Sequence, residues 1–252
     1  MFLIYAVAVV AAIVMTVFLI EKLPAALHDM KEDTKALLTS EKNSQNTETT
    51  SLSSSEMSAD KKVPKLLTVV NSKHKFGNRD SGLVNIYDYK TRSYLVKSVD
   101  LKVDKRVMKP LNEMMDAFYK ATGKSDVNII SGYRSVESQD ELYKSMEKTH
   151  GKKYAKRYCQ IPGGSEHHTG LAIDLSIYDV NTGKTTDFKG QDEYSWFYEN
   201  SWKYGFIRRY EEEKESITGI AYEPWHFRYV GKKAAEEMFK SGKCLEEYTG
   251  KM

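Results

Sequence analysis

Two short segments hold the residues best suited to chemistry. The first is Ser165-Glu166-His167-His168-Thr169-Gly170-Leu171-Ala172-Ile173-Asp174, and the second, roughly fifty residues further on, is Glu223-Pro224-Trp225-His226. Together they offer histidines and an aspartate as metal ligands, plus a glutamate able to act as a base. A catalytic zinc site takes three protein ligands of these types and keeps one position open for water. The set therefore suggests a zinc peptidase.

The flanking sequence constrains how these side chains could meet. Leu171 to Ile177 alternates strictly, as a half-buried strand does. Ala172, Asp174 and Ser176 then share one face, and Leu171, Ile173, Leu175 and Ile177 the other. Asp174 projects from a face of small side chains, which leaves room for an ion. Gly170 would let the chain turn so that a neighbouring histidine reaches the same ion, and spacing does not choose between His167 and His168. Glu223 precedes a proline and is pushed towards extended geometry. In a regular strand Glu223 and His226 would face opposite ways, so a loop or bulge around Pro224 must bring both to one metal. His226 would then bind zinc, with Glu223 beside the water. Trp225, Phe227 and Tyr229 read as core. Arg134 lies in a turn after a strand, within Ser131-Gly132-Tyr133-Arg134-Ser135, where it could grip a carboxylate through two parallel hydrogen bonds.

The rest of the chain supplies the frame. Leu66 to Val70 is a strand candidate, Gly77 to Asp80 a turn, and Gly82 to Lys97 is rich in Val, Ile and Tyr. Val107, Leu111, Met114, Met115 and Phe118 recur at spacings of three and four, which predicts a helix over 103–121 ended by Gly123. Val127 to Ile130 is a strand. Ser138 to Lys148 is a helix with Leu142, Tyr143 and Met146 inward, and a Gly- and His-rich loop follows it. Ser195 to Tyr204 is a short aromatic helix, Tyr222 to Val230 the final strand and Lys232 to Lys240 the final helix. Helices and antiparallel-looking strands in separate runs, without a βαβ rhythm, give an α+β class.

Bulk properties exclude some functions. A net charge of +3 over 252 residues lacks the basic stripe that nucleic acid would require. Two cysteines, Cys159 and Cys244, make no disulfide framework. Residues 1–20 are almost wholly apolar and uncharged, long enough for a membrane helix. An uncleaved anchor over 1–22 is favoured over a removed signal peptide. A polar linker over 23–62 follows, and the globular domain occupies 63–252. The Ser-, Thr- and Asn-rich stretch from Thr39 to Lys62 would have a root-mean-square reach of roughly 25–30 Å, which places the domain at a distance from the membrane.

Taken together, Ser165-x-His167-x-x-Gly170-x-Ala172-x-Asp174 and Glu223-x-Trp225-His226 resemble the VanY-type D-alanyl-D-alanine carboxypeptidases. Ser131 to Ser135 with Gln139, Val103 to Arg106, and Tyr204 to Ile207 with Tyr210 also match that family's pattern, in order, over roughly 63–240. The resemblance implies a fold like the hedgehog signalling domain, a small antiparallel sheet with flanking helices and a zinc at its face. It implies His167, Asp174 and His226 as zinc ligands, which selects His167 over His168, and Glu223 as general base and then acid. Arg134 would hold the terminal carboxylate, helped by Gln139 and Ser165, with Tyr210 as a further pocket residue. The implied reaction removes the last D-alanine of a peptidoglycan stem peptide, outside the membrane and facing the wall. The motifs do not separate a D,D-carboxypeptidase from an L,D-carboxypeptidase acting on tetrapeptides. A zinc-containing module that binds peptidoglycan without cleaving it is the alternative of a different class.

Overall fold

A computed structural model describes residues 64–251. The anchor (1–22) and linker (23–62) expected from the sequence lie outside the described residues. Eight strands are present among these: β1 Leu83–Asn85, β2 Leu95–Val96, β3 Lys102–Asp104, β4 Val127–Ser131, β5 Ala172–Asp179, β6 Lys184–Asp187, β7 Phe206–Tyr210 and β8 Glu223–Tyr229. The main helices are α1 Lys105–Thr122, α2 Val136–His150, α3 Lys152–Tyr158, α4 Lys232–Ser241 and α5 Leu245–Thr249. The principal sheet runs β2-β4-β5-β8-β7, with β6 also paired to β5, and β1 pairs separately with β3.

The α+β class holds, with one departure from an antiparallel sheet. β2 pairs with β4 in parallel, and the remaining pairs are antiparallel. A parallel pair needs a long crossover, and the chain provides one by inserting β3 and α1 between them.

Helix α1 is the spine of the core. The Asp104 side chain accepts the Arg106 N–H at its start, and Gly123 ends it at φ 73°, the left-handed conformation that glycine adopts freely. Its stripe of Val107, Leu111, Met114, Met115 and Phe118 is fully buried against Val127, Ile129, Leu171, Ile173, Leu175 and Phe227 of the sheet. Each such side chain contributes roughly 1.5–3 kcal/mol of burial. This layer occupies one face of the central strands and leaves the other free for polar side chains.

Some local expectations give way to tertiary contacts. Leu66 to Val70 forms no strand, and the carbonyls of Leu66 and Thr68 instead accept hydrogen bonds from Arg228 Nη2 at 3.1 and 2.9 Å. Gly82 to Lys97 divides into β1, one helical turn at Ile86–Tyr89, and β2. In α2 the buried residue is Gln139, while Leu142 is 37% exposed. That helix turns towards a cavity and not the core. Helix α3 lies where a loop was expected. The aromatic helix is 3-10, then α over Trp196–Asn200, then 3-10 again. Cys159 and Cys244 are buried and unpaired.

Candidate metal centre

Asp174 projects from the face of β5 opposite the core, as the alternation requires. In the β5–β8 register its direct cross-strand partner is His226, so the two side chains stand together on one face. His226 Nδ1 lies 2.8 Å from Asp174 Oδ1. His167 comes from a 3-10 turn, Glu166–Thr169, whose start is capped by the Ser165 hydroxyl and whose end is Gly170 at φ 67°. A side chain at Gly170 would put its Cβ 2.8 Å from Leu83 Cδ2, so this turn requires glycine. His167 Nε2 lies 3.1 Å from Asp174 Oδ2. Its Nδ1 lies 2.6 Å from the Gly132 carbonyl. A carbonyl only accepts, so Nδ1 carries the proton and Nε2 keeps its lone pair. Gly132 leaves no room for a side chain of its own, since a Cβ there would meet Lys102 O at 2.3 Å.

One ligand atom each from His167, Asp174 and His226 lies within 4.8 Å of the others, and all three residues are buried. Two imidazoles and a carboxylate, converging and largely dry, suit a zinc ion with one position left over. His168 is not part of this set. Its Nδ1 donates to the Arg134 carbonyl at 2.8 Å and its Nε2 accepts from Gly163 N–H at 3.1 Å. Both nitrogens of this fully buried histidine are thus engaged in fixing loops.

Glu223 reaches the cluster through the bulge that its proline demands. Tyr210 pairs with Glu223 and Arg208 with Phe227. Two steps along β7 therefore match four along β8, and the surplus lies at Pro224-Trp225. The displaced strand puts Glu223 Oε2 3.9 Å from His226 Nδ1. Burial raises the Glu223 pKa to about 8, with His226 and Arg134 opposing and Asp174 adding to it. Burial alone would lower the His226 pKa, but hydrogen bonds to Asp174 and Glu166 lift it to about 9.

The cluster lines a cavity of about 210 Å³ together with Arg134, Gln139, Ser165, Tyr210, Glu223 and Trp225. Arg134 is held by Ser131 Oγ and Gln139 Oε1, each at 2.8 Å. Gln139 is itself fixed by donating to the Gln160 carbonyl at 2.6 Å. Gln139 therefore orients Arg134, while Ser165 caps the His167 turn. The Tyr210 ring lies 5.0 Å from that of His226, and burial keeps its phenol protonated. Trp225 combines two roles, packing against the core while lining the cavity.

The sequence reading missed what lies behind His226. Glu166 is buried among Arg209, Arg228 and His226. The only local signal was an acid next to a histidine in the motif. Arg228 comes from the final strand, whose Phe227 and Tyr229 read as core, and Arg209 from β7, a strand that the sequence reading lacks.

This geometry suits a metal-dependent hydrolase, with three candidate ligands, a carboxyl group beside them and a guanidinium lining the same cavity. Comparison with known proteins gives the family. The model of VanY, D-alanyl-D-alanine carboxypeptidase, matches residues 100–232, and the chain belongs to this family. A D-alanyl-D-alanine carboxypeptidase of Enterococcus faecalis (strain ATCC 700802 / V583) is 38% identical over 156 residues, covering 58% of this chain and 55% of that protein. The match thus spans about half of that relative's length. The putative carboxypeptidase YodJ of Bacillus subtilis (strain 168) is 34% identical, covering 83% of this chain and 79% of that one. The LdcB LD-carboxypeptidase structure shares 33% identity at a TM-score of 0.62, covering 74% and 86% of the two chains. A VanY D,D-pentapeptidase mutant from a VanB-type resistance cassette, solved with Zn(II), shares 32% at 0.59, covering 73% and 98%.

Proposed function

We propose that the chain is a zinc-dependent carboxypeptidase that removes the C-terminal D-alanine from peptidoglycan stem peptides, with D,D-specificity favoured. The observation that carries this reading is the placement of Arg134 in the same cavity as the His167–Asp174–His226 cluster and Glu223. A base beside a metal site serves hydrolysis. A fixed guanidinium in the same cavity selects a chain end over an internal bond.

His167, Asp174 and His226 would hold the ion, which when bound supplies Lewis-acid polarisation of the scissile carbonyl and a more acidic water. Glu223 accepts the proton of the attacking water and returns it to the departing amine. Its displaced position at the bulge puts it beside the ligands without making it one. Arg134 pairs with the free carboxylate of the terminal residue through charge-assisted hydrogen bonds. Gln139 and Ser131 hold that guanidinium in place, which fixes the register between chain end and Glu223. Such orientation accounts for a large share of rate enhancement in general.

L,D-specificity is kept as a second reading because the LD-carboxypeptidase LdcB is among the similar structures. The apolar run over 1–22 and the polar stretch over 23–62 support a membrane-anchored domain facing the wall. Among the described residues, no helix is long and apolar enough to cross a membrane.

The test is to incubate the full chain with a stem pentapeptide and, separately, a stem tetrapeptide, with and without chelator, and weigh the products. Chelator-sensitive loss of one alanine from the pentapeptide alone is the expected result. Loss from the tetrapeptide would establish L,D-specificity. Cleavage of neither by the zinc-loaded chain would reject the carboxypeptidase and favour a binding module.

A further inference from the structure

His226 has two ring nitrogens, and the surroundings decide which one the cluster receives. Nδ1 faces Asp174. Nε2 faces the other way, 3.4 Å from Glu166 Oε2, a long contact for a hydrogen bond. Glu166 is 1% exposed. Its other oxygen, Oε1, accepts from Arg209 Nε at 2.8 Å and lies 2.8 Å from Arg228 Nη1. Both arginines are anchored in turn. Arg209 Nη2 donates to Glu246 Oε1 of α5 at 2.6 Å, and Arg228 Nη2 holds the carbonyls of Leu66 and Thr68.

The division of labour within one carboxylate is the informative point. Here one oxygen takes both guanidinium groups and the other is left to the imidazole. His167, by contrast, is steadied by the neutral Gly132 carbonyl. A metal-ligating histidine gains basicity and a fixed tautomer when its remote N–H meets a carboxylate.

We infer that Glu166 is a positioning residue for the metal centre: its carboxylate, fixed by Arg209 and Arg228, holds the Nε2 proton of His226 and so presents Nδ1 to the ion. The inference rests on the zinc-site reading above. It assigns a role to a position that the metal-binding motif leaves unspecified, between Ser165 and His167.

The experiment measures zinc affinity of the full chain by competition with a chromophoric chelator, comparing the parent with Glu166→Gln and Glu246→Gln. Glu166→Gln should weaken zinc roughly 10–100-fold. Glu246→Gln loosens the same charge cluster without touching His226 and should have a much smaller effect. Equal affinity for Glu166→Gln and parent would overturn the inference, and so would an equal loss in both variants. A parent chain that binds no zinc would overturn the site reading along with it. Histidine nitrogen NMR of the zinc-loaded parent decides the matter even if the variant fails to fold. A protonated Nε2 on His226 is expected, and a protonated Nδ1 would sink the idea.

Discussion

His226 stands between two carboxylates that its surroundings push in opposite directions. Glu223, on the cavity side, is raised to about 8, with burial as the largest cause. Glu166, beside the other ring nitrogen, suffers more burial, yet Arg209 and Arg228 outweigh it and hold its pKa well below the usual carboxylate range. The same residue type is thus pushed towards its neutral form in one place and held as a permanent anion in the other. The neighbours make the difference. Asp174 and Glu223 face imidazoles, which can give a lone pair to a metal. Glu246 and the Oε1 oxygen of Glu166 face guanidinium groups, which cannot. One group of buried charges is built to receive a cation and the other already contains its own.

The comparison breaks most severely at His226 itself. His226→Ala removes the residue shared by both sides, so stoichiometric zinc and turnover should both disappear, read by metal analysis and peptide cleavage. Glu223→Gln is narrower. Zinc should remain while turnover falls by roughly 10²–10⁴-fold, the usual contribution of a general base. Loss of zinc in that variant would mean Glu223 is a ligand after all. Arg134→Ala should lower kcat/KM by about 100-fold, on the scale of a misplaced substrate, for peptides with a free terminal carboxylate. An equal loss on amidated peptides would count against the clamp.

Two isosteric changes sharpen the contrast through stability of the metal-free chain. A carboxyl whose folded pKa is raised costs stability once pH exceeds its unfolded value, and the cost grows until the folded pKa is reached. Glu223→Gln should therefore stabilise the metal-free chain at pH 7, by on the order of 1–3 kcal/mol. Glu166, with a depressed folded pKa, contributes stability above its unfolded pKa of about 4.3 that fades as pH falls below it. Glu166→Gln leaves buried arginines undercompensated and should cost roughly 3–5 kcal/mol. Denaturant titrations of both variants should show shifts of opposite sign. Shifts of the same sign would remove the distinction between the two carboxylates.

Much of this was legible in the chain. The stripe of α1, the alternation of β5 and the need for a bulge at Pro224 follow from local periodicity and from proline's effect on its neighbour. Asp174 and the carboxyl group of Glu223 were identifiable as residue types in positions that could meet. The choice of His167 over His168 came from family resemblance. In the structure His167 meets Asp174, while His168 spends both nitrogens on loop backbone. The reversal of α2 was illegible locally. Leu142 and Met146 look like core at helical spacing, and only the cavity beside them shows otherwise.

The sequence by itself determined the donor set, the α+β class and the strand face from which Asp174 projects, because these depend on residue chemistry and on contacts between near neighbours. Only the tertiary structure decided the β5–β8 register that sets His226 opposite Asp174, the parallel edge at β2, and the assembly of Glu166, Arg209, Arg228 and Glu246 behind the site. Those partners are tens of residues apart, and a buried charge has no local pattern that names its counter-ion. Its partner is fixed by packing.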